Sequence, residues 1–178
     1  RSAAALTKVM GGVSDKDLLT KEELIKEKSS NGGLIMVGSH VKKTTEQLEE
    51  LKKCSFIEFI EFDCHLVLEP EKFEEEVNRI INEAEQLISQ GQTVAVYTRR
   101  ERLDLGEGKK EEELKLSVKI SDAVTSIVRR LNVRPNFIVA KGGITSSDIG
   151  VKGLSVKRAT VAGQIKPGIP VWVTGEES

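Results

Sequence analysis

Short apolar runs and longer amphipathic runs alternate along this chain, and that order restricts the available folds more than any other feature. Leu34-Ile-Met-Val37 is a compact strand, approached through Gly32-Gly33 and left through Gly38-Ser39-His40. Thr93 to Tyr97 (Thr-Val-Ala-Val-Tyr) is a second, and Phe137 to Ala140 reads as a third, buried one. Phe56 to Phe62 lacks a clean period of two, but its aromatic and β-branched content favours a strand. Phe73, Val77, Ile80, Ile81, Ala84, Leu87 and Ile88 form one apolar stripe, predicting a helix that begins near Pro70 and closes at Gly91. Ile120, Val124, Ile127, Val128 and Leu131 mark a second strong helix, which Pro135 separates from the strand after it. Smaller elements complete the pattern. Residues 2–10 look helical up to Gly11-Gly12, and Thr20 with Glu23 forms a capping box for a short helix. Thr44 or Thr45 caps a helix carrying Leu48 and Leu51, and Ala159 to Val161 and Val171 to Val173 finish as short strands around Pro167-Gly168.

The expected fold is therefore α/β: three layers, a mostly parallel sheet with helices on both faces, joined by right-handed crossovers. The 178 residues suffice for one sizeable core, and residues 1–178 are read as a single domain. Ligands of such sheets gather outside the carboxyl ends of the strands. Three turns fall there: Gly38-Ser39-His40, Thr98-Arg99-Arg100, and Lys141-Gly142-Gly143-Ile144-Thr145. They converge if their strands are neighbours.

The last of these turns carries most of the chemistry. A glycine pair follows an apolar run and is followed by Thr145, Ser146 and Ser147. Glycine lets a ligand approach the backbone, and free amides at a helix start favour an anion, so the turn suits a phosphate group. The same residues also make an ordinary strand-to-helix connection, and both readings stay open at this point. Lys141 either neutralises a phosphate or faces solvent; Asp148 either caps the helix start or helps place a magnesium ion through water. Residues 99–112 are charged and read as a mobile loop whose basic start is within reach of a phosphate. Gly150, Gly153 and Gly163 fit turns and close packing.

Other chemistries lack their signatures. There is no Walker A pattern, no Gly-x-Gly-x-x-Gly, no Gly-x-Ser-x-Gly elbow and no His-Glu-x-x-His. His40 and His65 are the two histidines; His40 is read as a turn residue first and a general base second. Cys54 and Cys64 show no CxxC spacing and read as small buried hydrophobes of a reducing, cytoplasmic compartment, although Cys64-His65 resembles half of a metal site. A net charge of −1 and an aromatic content of 4% point away from nucleic acid, and no apolar run or signal peptide points to a membrane.

Lys141-Gly-Gly-Ile-Thr-Ser-Ser-Asp-Ile, Lys152-Gly-Leu, Arg158-Ala-Thr-Val-Ala-Gly-Gln-Ile and Pro167-Gly-Ile-Pro-Val-Trp closely resemble the end of the four-carbon acid sugar kinase family. Val37-Gly-Ser-His and Val96-Tyr-Thr-Arg-Arg resemble two more of its motifs, and Arg1-Ser-Ala-Ala resembles its interdomain junction. Members transfer the γ-phosphate of ATP to a hydroxyl of a four-carbon sugar acid such as a threonate, an erythronate or a 3-oxo-tetronate. The resemblance implies that this chain is the C-terminal nucleotide-binding domain of a longer two-domain kinase, whose sugar acid is held by an N-terminal domain outside it. It implies that Ser39 and the Gly142, Gly143, Ile144 and Thr145 turn contact ATP or ADP, with Mg2+ bridging the phosphates mostly through water. It assigns no catalytic base and no metal ligand to this chain, so the fragment alone is expected to bind nucleotide weakly and catalyse little; a homodimer is left open. Two departures stand out. The family pattern continues past Gly175-Glu-Glu-Ser into another glycine-rich nucleotide contact, and many members carry a glutamate where this chain has Ile144. The competing readings are a non-catalytic module for a phosphorylated metabolite or regulatory nucleotide in a fused enzyme, and a ligand-free structural domain of such an enzyme.

Overall fold

The computed structural model describes residues 2–25 and 29–175. Arg1 and the stretch 176–178, which the family resemblance invoked, lie outside the described residues. The chain divides into two compact units: a larger one, Glu27–Lys157, and a smaller one that combines Arg1–Lys26 with Arg158–Glu177.

The larger unit is built on four parallel strands: β1 (Leu34–Val37), β2 (Ile57–Phe62), β3 (Thr93–Thr98) and β4 (Ile138–Lys141). Their order is β2-β3-β1-β4. Central β1 pairs with both neighbours, Leu34 lying opposite Val94 on one side and Ile138 on the other. Helices α3 (Lys42–Leu51), α4 (Pro70–Ser89) and α5 (Lys110–Arg130) connect the strands in turn. Because side chains alternate along a strand, Leu34, Met36, Val94 and Val96 face α4 and α5 in the main core. Val37 and Tyr97 face the other way, against Leu48 of α3. This is the expected three-layer α/β arrangement with helices on both faces.

The predicted apolar stripe of α4 is the one it buries. Val77, Ile80, Ala84 and Ile88 are at most 2% exposed, and each such side chain larger than alanine stabilises the fold by about 1.5–3 kcal/mol. Pro70 sits in the first turn of α4, where its missing N–H leaves no bond unmade. Helix α5 starts at Lys110, earlier than its apolar stripe suggested, so the last residues of the expected 99–112 loop are helical. Glu111, Glu112 and Glu113 in its first turn and Arg129 and Arg130 in its last both complement the helix dipole.

Three local expectations are corrected. Neither Thr44 nor Thr45 caps α3; Val41 holds that place and both threonines lie within the helix. The strand before the glycine pair is an edge strand of the described sheet instead of a buried one, and Val139 is 46% exposed. At the opposite edge, Glu58 and Glu61 of β2 point to solvent, which explains its broken periodicity and discourages edge pairing.

The smaller unit contains α1 (Ser2–Met10), α2 (Lys21–Leu24) and an antiparallel hairpin of β5 (Ala159–Lys166) and β6 (Ile169–Thr174). The Thr20 amide donates to Glu23 at 2.7 Å, completing the expected capping box. The last two strands are longer than expected and form their own two-stranded sheet, because the tight turn at Pro167-Gly168 pairs them with each other. The Leu19 amide donates to the Gln164 carbonyl, tying the N-terminal segment to β5.

Candidate functional site

At the end of β4 the chain turns through Gly142 into the short helix α6 (Gly143–Asp148), which runs on into a π-helical turn, Ile149–Gly153. Gly142 has φ 118 and ψ 140, a conformation that side-chain-bearing residues avoid. A Cβ there would stand 3.3 Å from both Ser39 Cβ and Thr145 Oγ1. A Cβ on Gly38 would come within 2.9 Å of the same Thr145 hydroxyl. Thr145 therefore lies against two bare backbones, and the turns after β1 and β4 touch. By contrast, a Cβ on Gly143 would meet nothing within 4 Å, so the space in front of the glycine pair is open. The first amides of α6 have no carbonyl one turn before them, and Ser146 is the first residue to bond back, to the Gly142 carbonyl. Ile144, next in the helix, is 76% exposed.

The turn after β3 reaches the β1 turn from the other side. Arg100 Nη2 donates to the Ser39 carbonyl at 2.6 Å and to Thr45 Oγ1 at 2.9 Å, and Arg100 Nε donates to the same hydroxyl at 3.3 Å. His40 Nε2 donates to the Arg99 carbonyl at 2.9 Å. A carbonyl carries no proton, so this bond places the hydrogen on Nε2. The three predicted turns thus meet on adjacent strands β3, β1 and β4. Adjacent β1 and β3 send their following helices to opposite faces, which opens a crevice at their carboxyl ends, where ligands of open α/β sheets bind.

Thr45 was expected to cap a helix; it holds the guanidinium of Arg100 instead. Arg100 was legible only as one letter of a basic turn, because its role depends on Ser39 and Thr45, 61 and 55 positions away. Burial lowers its affinity for a proton below the ordinary arginine value, a sign that water screens this cation poorly.

Other candidates have different tasks. Asp148 ends α6 instead of capping its start, where it accepts from Ser121 Oγ and pairs with Lys152. Lys141 closes β4 half-buried. His65 Nε2 donates to the Glu101 carbonyl, and Arg99 pairs with Asp63 and Glu101, so both brace the β3 turn. Burial, and then the charge of Asp63, push the Cys64 thiol up to about 11, which leaves it an inert core side chain. Among the described residues no group of three or more His, Cys, Asp or Glu is placed to hold a metal ion. No described helix is long and apolar enough to cross a membrane.

From Leu34 to its end (residues 34–178), the chain matches the family of nucleotide-binding C-terminal domains. It belongs to that family. The nucleotide-binding C-terminal domain also has a match among solved structures, a crystal structure from Salmonella typhimurium LT2 described as a candidate tRNA synthase. The two share 18% identity with a TM-score of 0.57 over 85% of this chain and 36% of that one. At that identity the likeness is one of fold, and this chain spans about a third of the length of the structure it matches. No protein with a curated description matches the chain.

Proposed function

We propose that this domain binds ATP across the β3, β1 and β4 turns and serves as the nucleotide-holding half of a kinase that phosphorylates a hydroxyl of a four-carbon sugar acid. The observation that carries the reading is the contact of Gly38, Ser39, Gly142 and Thr145, which builds an open, small-residue cradle in a nucleotide-binding family. The sugar-acid acceptor is supported by the resemblance of the Lys141–Ile149 and Arg158–Ile165 motifs to four-carbon acid sugar kinases.

The cradle fits phosphate oxygens. The amides of Gly143, Ile144 and Thr145 open α6 and have no helical partner, and the Ser39 and Thr145 hydroxyls add donors. Mg2+ keeps several waters and binds phosphate oxygens, so it needs no dedicated carboxylate cage here. Transfer forms a bond from the acceptor oxygen to the γ-phosphorus as the bond to the β–γ bridging oxygen breaks; ADP leaves with that electron pair. The acceptor hydroxyl gives its proton to a base contributed by the sugar-acid domain. Such transfer depends on positioning and charge neutralisation, which are the tasks these turns perform.

Titrating the chain with ATP, ADP and sugar phosphates tests the reading. ADP and ATP are expected to bind, and Gly142→Val to abolish both. A preference for a sugar phosphate over ADP would instead make the domain a metabolite-binding module.

A further inference from the structure

The turn after β1 is tied to the turn after β3 by a reciprocal pair of hydrogen bonds. Arg100 of the β3 turn donates Nη2 to the Ser39 carbonyl at 2.6 Å, and His40 of the β1 turn donates Nε2 to the Arg99 carbonyl at 2.9 Å. Each turn thus holds the backbone of the other with a side chain. Arg100 is itself anchored. Its Nη2 and Nε both reach Thr45 Oγ1, at 2.9 and 3.3 Å, and the Thr45 amide is fixed to the Val41 carbonyl at the start of α3. One planar, rigid fork therefore joins a helix to a turn.

Ser39 is what this clasp holds. Its hydroxyl accepts from the Val41 amide at 3.4 Å, which leaves its single proton for another acceptor. Its Cβ lies so near Gly142 that a Cβ there would stand 3.3 Å away. Arg100 is half-buried, and among the described residues it pairs with no carboxylate. No ion pair accounts for this cation; its shortest bonds go to the Ser39 turn and to Thr45.

We propose that Arg100 is a positioning residue of the nucleotide site, which holds the Ser39 turn against the Gly142 turn in the form that receives phosphate, without touching the nucleotide itself. The inference rests on the nucleotide reading above and adds the side chain that keeps the cradle preformed. A preformed site binds more tightly because less has to be ordered on binding.

ADP titration of the whole chain, with a thermal melt of each variant, tests this. Arg100→Gln leaves no carboxylate unpaired and should weaken ADP about tenfold, as loss of a charged hydrogen bond does. Thr45→Val removes only the anchor of the guanidinium and should weaken ADP about three- to fivefold. The double variant should bind no more weakly than Arg100→Gln, because both changes act on one element. Arg100→Lys keeps the charge but loses the fork, so it should bind like Arg100→Gln. Recovery of affinity in Arg100→Lys, with Thr45→Val like wild type, would make Arg100 a direct charge contact and overturn the inference. Lower melting midpoints with unchanged ADP affinity, read well below the melt, would leave the clasp a role in folding alone and overturn it too. In both cases ADP binding abolished by Gly142→Val keeps the nucleotide site. A chain that binds no ADP overturns the nucleotide reading and this inference with it.

Discussion

A methyl group added to Gly142 or to Gly143 should have opposite consequences, although the two residues are adjacent. At Gly142 the backbone lies at φ 118 and ψ 140, where a non-glycine residue costs about 1–3 kcal/mol. The new Cβ would also press on Ser39 Cβ and Thr145 Oγ1 at 3.3 Å, and both belong to turns held by other contacts. Gly142→Ala should thus lose about 2–3 kcal/mol of stability, toward the upper end of the backbone cost alone. With a urea dependence of ~2 kcal/mol per M, the unfolding midpoint falls by about 1 M. At Gly143 the φ is not positive and a Cβ meets nothing within 4 Å. There Gly143→Ala should be neutral, or stabilising by up to about 1 kcal/mol, because alanine favours helix. Its methyl group nevertheless projects into the space assigned to phosphate, and ADP affinity should fall by about tenfold or more, the worth of a charge-assisted hydrogen bond. Urea melts followed by far-UV circular dichroism read the first quantity and ADP titration the second. The sole tryptophan, Trp172, lies in the smaller unit and would report on the wrong region. A Gly143→Ala chain that binds ADP like wild type would remove phosphate from this turn, and a Gly142→Ala chain with an unchanged midpoint would refute the steric argument.

Two further outcomes follow from the buried titratable groups. Burial lowers the His40 pKa below its ordinary 6.5, with Arg100, Arg102 and His65 acting in the same direction and the bond to Arg99 opposing them. Below 6.5 the unfolded chain therefore binds more protons than the folded one, so stability falls as pH drops through that window and recovers above it. Glu76, held below its ordinary carboxylate value chiefly by Arg79, acts with the same sign further into acid. Urea midpoints measured between about pH 5.5 and 7 should rise with pH in wild type and flatten in His40→Gln; an unchanged slope contradicts the assignment. Cys64, buried and raised to about 11, should resist a thiol reagent at pH 8 while half-buried Cys54 reacts. One fast thiol in the native chain and two in urea is the expected count, and two in the native chain would refute the burial argument.

Much of the larger unit was legible because its signals are local. The α4 stripe and the runs Leu34–Val37 and Thr93–Tyr97 carry their periodicity and β-branched content on their faces, and the observed elements coincide with them nearly to the residue. The start of α5 was missed because Lys110 to Glu113 has the charge of a loop; the helix dipole makes that charge favourable at a helix start. The hairpin at the C-terminal end was legible as strands but not as a sheet of its own, since pairing is decided between segments. The exposure of β4 was hidden for the same reason: an apolar run reads alike at the centre and at the edge of a sheet.

For the candidate site, the amino-acid sequence by itself determined that the chain is α/β, that three turns with glycine, hydroxyl and basic residues end its strands, and that one of them joins a glycine pair to a run of hydroxyls. Those are properties of neighbours along the chain. The strand order β2-β3-β1-β4 decided the rest, by setting the Ser39 turn between the Arg100 and Gly142 turns. Only then does Thr145 become the reason that Gly38 has no side chain, and Thr45 a partner of Arg100 instead of a helix cap.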